Sequence, residues 1–180
     1  MFKTLCLIYW KLVKFQEVPE NTPYSHFLMG ISTILLISIL IIQWSLSDFD
    51  FSNDLLITGF IAISLVFSFI IYTFAILFFR GLTPRLVQTV TCLCSAHFII
   101  HLLACPLFLV DPLFIHTNLK NPLILFIAVI YLFATLGLSV WQFVITAYVY
   151  KYAMNITNVQ SVLAAFGLIA VNVLTVSFWR

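Results

Sequence analysis

Four side chains of one uncharged stretch, Cys94, His97, His101 and Cys105, recur at steps of three, four and four, and so share one face of a helix. Imidazole and thiolate are metal ligands, so metal or haem binding is the first chemistry to weigh. The spacing argues against most of it. The His97-x-x-x-His101 pair sets its imidazoles about 6 Å apart along the axis, which suits one shared ion. Adding Cys94 stretches the set over about 10 Å, too far to converge on one metal with Zn–ligand bonds near 2 Å. A single haem needs ligands on opposite sides of its iron, which two neighbours on one helix face do not supply. No carboxylate lies in the stretch, and His26 falls near the end of a different one. Neutral histidines hydrogen-bonded between helices are the stronger expectation. No cofactor or metal is assigned, and a metal- or haem-binding membrane subunit stays as an alternative reading.

Two further stripes have helical spacing: Thr135, Ser139, Gln142 and Thr146 on one face, and Ser161, Ala165, Asn172 and Thr175 on another. Small and polar residues along one face of a membrane helix most often let backbones approach and side chains bond across. His101 and Asn172 lie fifteen and fourteen residues into their stretches, at matching depth. The sequence therefore predicts an intramembrane polar cluster of His97, His101, Thr135, Gln142 and Asn172. It requires the third and fifth spans to be neighbours.

Other chemistry has no residues to carry it. There is no Gly-x-Ser-x-Gly elbow, no Gly-rich phosphate loop and no His-Glu-x-x-His motif, and no paired aspartates fall within the apolar stretches. Asp48, Asp50 and Asp54 lack the spacing of a calcium loop and read as a solvated acidic turn. Proton-coupled transport generally needs ionisable groups inside spans, and only histidines titrate here. Cys6, Cys92, Cys94 and Cys105 form neither a disulfide framework nor spaced zinc pairs, and read as small packing residues. An enzyme is not expected.

These side chains must be positioned by membrane helices. Of 180 residues, 63% are hydrophobic and 8% charged, with a mean hydropathy of +1.16. A soluble domain carries about 25% charged residues. A hydrocarbon core needs about 20 apolar residues per helix, and five charge-free stretches supply them: 26–46, 55–79, 86–110, 122–150 and 158–179. The fold class is all-α, a polytopic membrane protein of five transmembrane helices in a domain of 26–180. Thr83-Pro84 and Asn121-Pro122 put a capping side chain before a first-turn proline, Asp54 suits a helix N-terminus, and Thr157 with Gln160 has capping-box spacing. Pro106 either kinks the third span or ends it, and termination at Cys105 is the expectation. No basic run exists that would neutralise a series of phosphates, so no nucleic acid is expected as a partner.

Residues 1–25 form a cytoplasmic amphipathic segment. Lys3, Lys11 and Lys14 fall within an arc of about 80° at 100° per residue, with Phe2, Leu5, Cys6, Ile8, Tyr9, Leu12, Val13 and Phe15 opposite. Such a helix lies in the interface and anchors the first span, or docks a cytoplasmic partner. Its apolar run is too short and too interrupted for a cleavable signal. With the N-terminus cytoplasmic, Lys3, Lys11, Lys14, Arg80, Arg85 and Lys151 lie inside and only Lys120 and Arg180 outside. That bias fixes the expected orientation, N-terminus in and C-terminus out. Trp44, Trp179, Tyr24 and the Tyr148/Tyr150/Tyr152 group mark the membrane edges.

The short amphipathic segment, Pro23-Tyr24 and five spans resemble the Yip family of five-span membrane proteins, including small bacterial relatives. Local likeness lies in Trp141-Gln142, the turn Tyr152-Ala153-Met154-Asn155-Ile156-Thr157, and Ser161 with Ala164. Arg80-Gly81-Leu82-Thr83-Pro84-Arg85, then Gln88-Thr89, is similar to the family's second inner loop. The Asp-Leu-Tyr-Gly-Pro motif of eukaryotic members is missing, so their link to small GTPases does not carry over. The resemblance implies a bacterial inner-membrane protein with a periplasmic C-terminus. Its expected role is a non-catalytic organiser or stabiliser of a membrane-protein partner or homo-oligomer within the lipid bilayer. The alternative is a small-solute channel or transporter formed by oligomers.

Overall fold

A computed structural model describes residues 2–46, 55–115 and 122–179. Among these residues six α-helices follow one another: α1 (Phe2–Val13), α2 (His26–Leu46), α3 (Leu55–Phe79), α4 (Leu86–Ile115), α5 (Pro122–Met154) and α6 (Asn158–Phe178). Five of them, α2 to α6, are long and apolar enough to cross a membrane. The charge-free stretches predict the bounds of α2 and α3 and the starts of α4, α5 and α6, because a backbone in hydrocarbon must satisfy its own polar groups, and a continuous helix does so. Asp48, Asp50, Asp54, Lys120, Asn121 and Arg180 lie outside the described residues.

α2 packs on α3 and α4, α6 on α3 and α5, and α5 on α4, so the five helices close in the order α2–α3–α6–α5–α4. α3 also touches α4 across the middle. The core they share includes Leu36, Leu40, Val66, Phe69, Leu77, Leu93, Tyr150 and Leu168. α5 is the outlier. It is the longest helix, and none of its most apolar stretch is buried within the chain.

One end of the bundle, the Arg85 end, holds three helix C-termini of the same design. α1, α3 and α5 each turn out through a left-handed residue, Phe15 at φ 61°, Gly81 at φ 69° and Asn155 at φ 50°. The residue after it reaches back five positions, as Gln16 N–H to Lys11 O, Leu82 N–H to Leu77 O and Ile156 N–H to Lys151 O. Glycine and asparagine accept that conformation readily; phenylalanine does so at about 1–2 kcal/mol. The Phe15 ring is held there edge-on to Tyr148, with centroids 5.3 Å apart.

Four sequence expectations are corrected. α4 does not end at Cys105 but runs through Pro106 to Ile115. Proline deletes one helix hydrogen bond, whereas ending the helix among apolar side chains would orphan a full turn of carbonyls. Thr83 is not a side-chain cap: Thr83–Arg85 forms a 3-10 turn that feeds α4, and its cap position, Leu82, makes no side-chain bond. Tyr150 does not face outward as an interfacial tyrosine would but is fully buried, its hydroxyl 2.9 Å from Thr73 Oγ1. Cys6 is exposed, while Cys92 and Cys94 are buried as expected. The Thr157–Gln160 capping box is formed, with both reciprocal bonds at 3.4 Å.

α1 does more than present an apolar face. Leu12 and Val13 are fully buried against the bundle, and the Trp141 indole N–H donates to the Val13 carbonyl at 3.0 Å. Lys3, Lys11 and Lys14 stay exposed on the opposite side. Residues 14–25 are then strapped down by bonds to their carbonyls. Tyr148 Oη donates to Glu17 O, and Gln88 Nε2 to Glu20 O and Thr22 O. Arg85 ties the strap to the bundle: Nη1 meets Glu20 Oε1 at 2.7 Å and donates to the carbonyl of Ala153 at 3.2 Å in the last turn of α5.

Candidate functional site

Three helices converge on the histidine pair. α4 presents His97 and His101 one turn apart, α5 presents Gln142 and Thr146 one turn apart, and α2 presents Gln43. Gln142 Nε2 donates to His97 Nδ1 at 2.9 Å and faces His101 Nε2 at 3.5 Å. An imidazole that accepts at one nitrogen donates from the other. His97 Nε2 accordingly donates to Thr146 Oγ1 at 2.9 Å, and that hydroxyl donates onward to the Gln142 carbonyl at 2.7 Å. His101 Nδ1 donates to Gln43 Oε1 at 2.8 Å. Gln43 Nε2 closes the chain on the His101 carbonyl at 2.6 Å and reaches Cys105 Sγ at 3.9 Å. The donors and acceptors match at every step from Thr146 to Gln43.

The network accounts for its own polar atoms. Gln43 and His97 are almost completely buried, and the Phe69 ring stands 5.3 Å from the His97 ring. Each imidazole engages both ring nitrogens, so neither aims a lone pair into open space. Among the described residues no group of three or more His, Cys, Asp or Glu comes together as a metal site. The arrangement suits a cross-brace between α2, α4 and α5.

Of the five residues predicted to cluster, His97, His101 and Gln142 do so directly. Thr135 does not: its hydroxyl bonds back to Tyr131 O and Leu132 O on its own helix. It shares a face with Gln142 but sits seven residues away, about 10 Å along the axis. His101 and Asn172 are not paired either. Among the described residues α4 and α6 are not packed neighbours, and His101 turns to Gln43 on α2 instead. Asn172 meets the group indirectly, across a cavity of about 180 Å³ that His97, Gln142 and Thr146 also line. Its Oδ1 is buried with no hydrogen-bond partner.

Sequence reasoning misses Gln43, although the one amide side chain of its span is a usable signal, because such a group must find a partner. The other stripe residues pack as expected of them. Ser161 and Ala165 are buried, and Thr175 Oγ1 donates to Ser68 Oγ at 2.9 Å on α3. Tyr72 Oη donates to Ala164 O at 2.8 Å, with its ring laid over Gly167. Outside the spans, the Tyr9 hydroxyl is buried without a partner. Burial first, and Cys92 beside it second, push its ionisation above the ordinary value of 10.0.

Comparison with protein-family models, curated proteins and solved structures gives no match to this chain, and the site stands on its own geometry.

Proposed function

We propose that the chain is a non-catalytic integral membrane protein that organises or stabilises a membrane-protein partner. One observation carries the reading: α5 is the longest of the five apolar helices, and no residue of its most apolar stretch is buried by the rest of the chain. Phe126 and Phe133, seven residues apart and so on one face, are both about two-thirds exposed, at 66% and 68%. His97, His101, Gln43 and Gln142 are meanwhile spent on one another, which favours a scaffold over a reaction centre. The excess of Lys and Arg at the Arg85 end supports a bacterial inner-membrane protein with that end and the N-terminus cytoplasmic and the C-terminus periplasmic. The five-span layout also supports the Yip-like assignment.

The test is gentle affinity purification from native membranes, with mass spectrometry of what accompanies the protein. A stoichiometric partner that is lost from Phe126→Ala/Phe133→Ala supports the proposal. A lone protein, or a homo-oligomer indifferent to that pair, overturns it. A second reading, a small-solute pathway formed by oligomers, draws on the polar cavity. It requires water at Gln142 and Asn172, which thiol labelling of single cysteines placed there would detect.

A further inference from the structure

Two lysines of α1 stand at a depth where no acid of the chain answers their charge. α2 and α6 have 21 residues each and are about 32 Å long, so crossing a hydrocarbon core of about 30 Å takes their whole length. The face of that core at the Arg85 end therefore lies near His26 and Asn158. Leu86 and Met154 are level with it. Thr33 stands beside Cys94, seven residues from His26 and eight from Leu86 respectively, and only residues 155–157 separate Met154 from Asn158. Val13, at the end of α1, is far below that face. It packs with Ala96, Ile100 and Ile145 and accepts from the Trp141 indole. Those residues lie about 14–21 Å along their helices from Leu86 and Met154, close to the middle of the bilayer. The chain then returns: Phe15 and Glu17 meet Tyr148, about 9 Å in, and Glu20 meets Arg85 at the face.

The amphipathic pattern predicts a helix laid flat in the interface; the structure instead makes a re-entrant element of α1 and residues 14–20. Its backbone is fitted to that depth. The carbonyls of Val13, Glu17, Glu20 and Thr22 each receive a side-chain donor, from Trp141, Tyr148 or Gln88. The lysines are not so provided. Lys14 follows Val13 directly, and Lys11 precedes it by three residues, with both side chains exposed on the outer side of α1. A four-carbon stem is too short to carry either ammonium group back to the face. Lys14 Nζ sits 5.1 Å from the centre of the Trp10 ring, and among the described residues neither lysine has an ion pair. Glu17, the nearest acid in sequence, accepts from Asn21 instead. A bare ammonium at this depth draws in water and headgroups rather than staying dry. Two of them on one face converge on a single anion, and their paired charge selects an anionic headgroup over a zwitterionic one.

We propose that Lys11 and Lys14 bind the phosphate of an anionic phospholipid drawn below its headgroup plane from the leaflet at the Arg85 end, indenting the bilayer beside α1. The site is independent of any partner on the exposed face of α5, and its test uses the isolated full-length chain. A nitroxide is placed at the exposed neighbour Gln16→Cys, with Cys6→Ser and Cys105→Ala removing the accessible native thiols. The protein is reconstituted in phosphatidylcholine–phosphatidylglycerol vesicles, and collisions of the label with oxygen and with a water-soluble nickel chelate are measured. With both lysines present the chelate reaches the label. In Lys11→Leu/Lys14→Leu the indentation closes, and the label meets oxygen alone. Lys11→Arg/Lys14→Arg keeps the charge and the chelate's access, which separates lost charge from lost fold. Spin-labelled phosphatidylglycerol should associate about thirtyfold more tightly than spin-labelled phosphatidylcholine, at about 1 kcal/mol for each lysine, and the leucine pair should abolish that preference. Inorganic phosphate should leave it unchanged. Chelate access in parent and leucine variant alike would return α1 to the surface and overturn the proposal. Oxygen alone in both, no lipid preference, or competition by inorganic phosphate would overturn it equally.

Discussion

Gln43 clasps His101 twice: its Oε1 accepts from the imidazole Nδ1 at 2.8 Å, while its Nε2 donates to the same residue's carbonyl at 2.6 Å. One side chain on α2 thus fixes both the ring and the backbone of a residue on α4. Gln43→Leu is expected to destabilise the protein by about 1–3 kcal/mol, because it strands a buried donor. In a double-mutant cycle with His101→Leu the losses should fall short of additive by about 0.5–2 kcal/mol. Unfolding in mixed detergent measures both, and strict additivity would mean that the clasp contributes nothing.

The direction of the network fixes the two histidines as different tautomers. His97 carries its proton on Nε2 and His101 on Nδ1, since Gln142 Nε2 supplies the hydrogen to the remaining nitrogen of each. Nitrogen NMR on histidine-labelled protein at neutral pH should resolve one ring of each kind. Gln142→Leu should abolish the distinction. Two rings of the same tautomer would reverse the placement of the Gln142 amide.

Gly167 is the place where α3 and α6 allow no side chain. A Cβ there would fall on the Tyr72 hydroxyl and displace the ring from its bond to Ala164 O. Gly167→Ala is expected to lower stability by about 1–3 kcal/mol, in the range of overpacking. Tyr72→Phe, which removes the colliding oxygen, should recover part of that loss when combined with it. A thermal-melt series of the four proteins decides the matter, and a harmless Gly167→Ala in the parent would refute the close approach.

Tyr9 gives a pH dependence with a definite sign. Its phenol is harder to ionise in the folded chain than in the unfolded one, so the unfolded state releases its proton first. Stability is unaffected well below pH 10.0 and falls as pH rises through and above that value. Tyr9→Phe should remove this alkaline loss. At neutral pH the same change should be neutral or stabilising by about 1 kcal/mol, since it deletes an unpaired buried hydroxyl. Melting temperatures of both proteins at neutral and alkaline pH test both statements.

Arg85 holds two kinds of contact, and they should separate on mutation. Its ion pair with Glu20 is 2.7 Å long but 40% and 52% exposed at the two side chains, so Glu20→Gln is expected to cost under about 1 kcal/mol, less in salt. Arg85→Ala also frees the Ala153 carbonyl and should loosen residues 14–25 more. Hydrogen exchange over that segment will show it. Equal protection in the two variants would reduce Arg85 to a surface charge.

The helices could be read from the sequence because each is a run of residues with one shared demand. From His26 to Leu46 and from Leu55 to Phe79 the absence of charge and the need for internal backbone bonding set both ends. Pro106 misled because a missing N–H looks like a stop in water, where freed carbonyls find partners, and is only a local defect among apolar side chains. Spacing put His97, His101 and Gln142 on inward faces, but spacing within a helix says nothing about which helix lies opposite. That is why depth matches His101 with Asn172, while its partner, Gln43, belongs to a helix that spacing does not connect with it. Thr135 failed by height rather than by face.

The contact between Trp141 and Val13 joins residues 128 positions apart. At a synthesis rate of about 5–20 residues per second, the chain end carrying Val13 exists for roughly 6–26 s before Trp141 has been made. Through that interval Leu12 and Val13, later sealed in the bundle, lack the cover that Trp141 and Ile145 of α5 complete. The lysine-backed helix that carries them is suited to rest on the membrane surface meanwhile, so the same apolar side chains serve first as a mooring and afterwards as a keystone. Closure of this end therefore waits until α5 has been made, although α1 precedes all five spans.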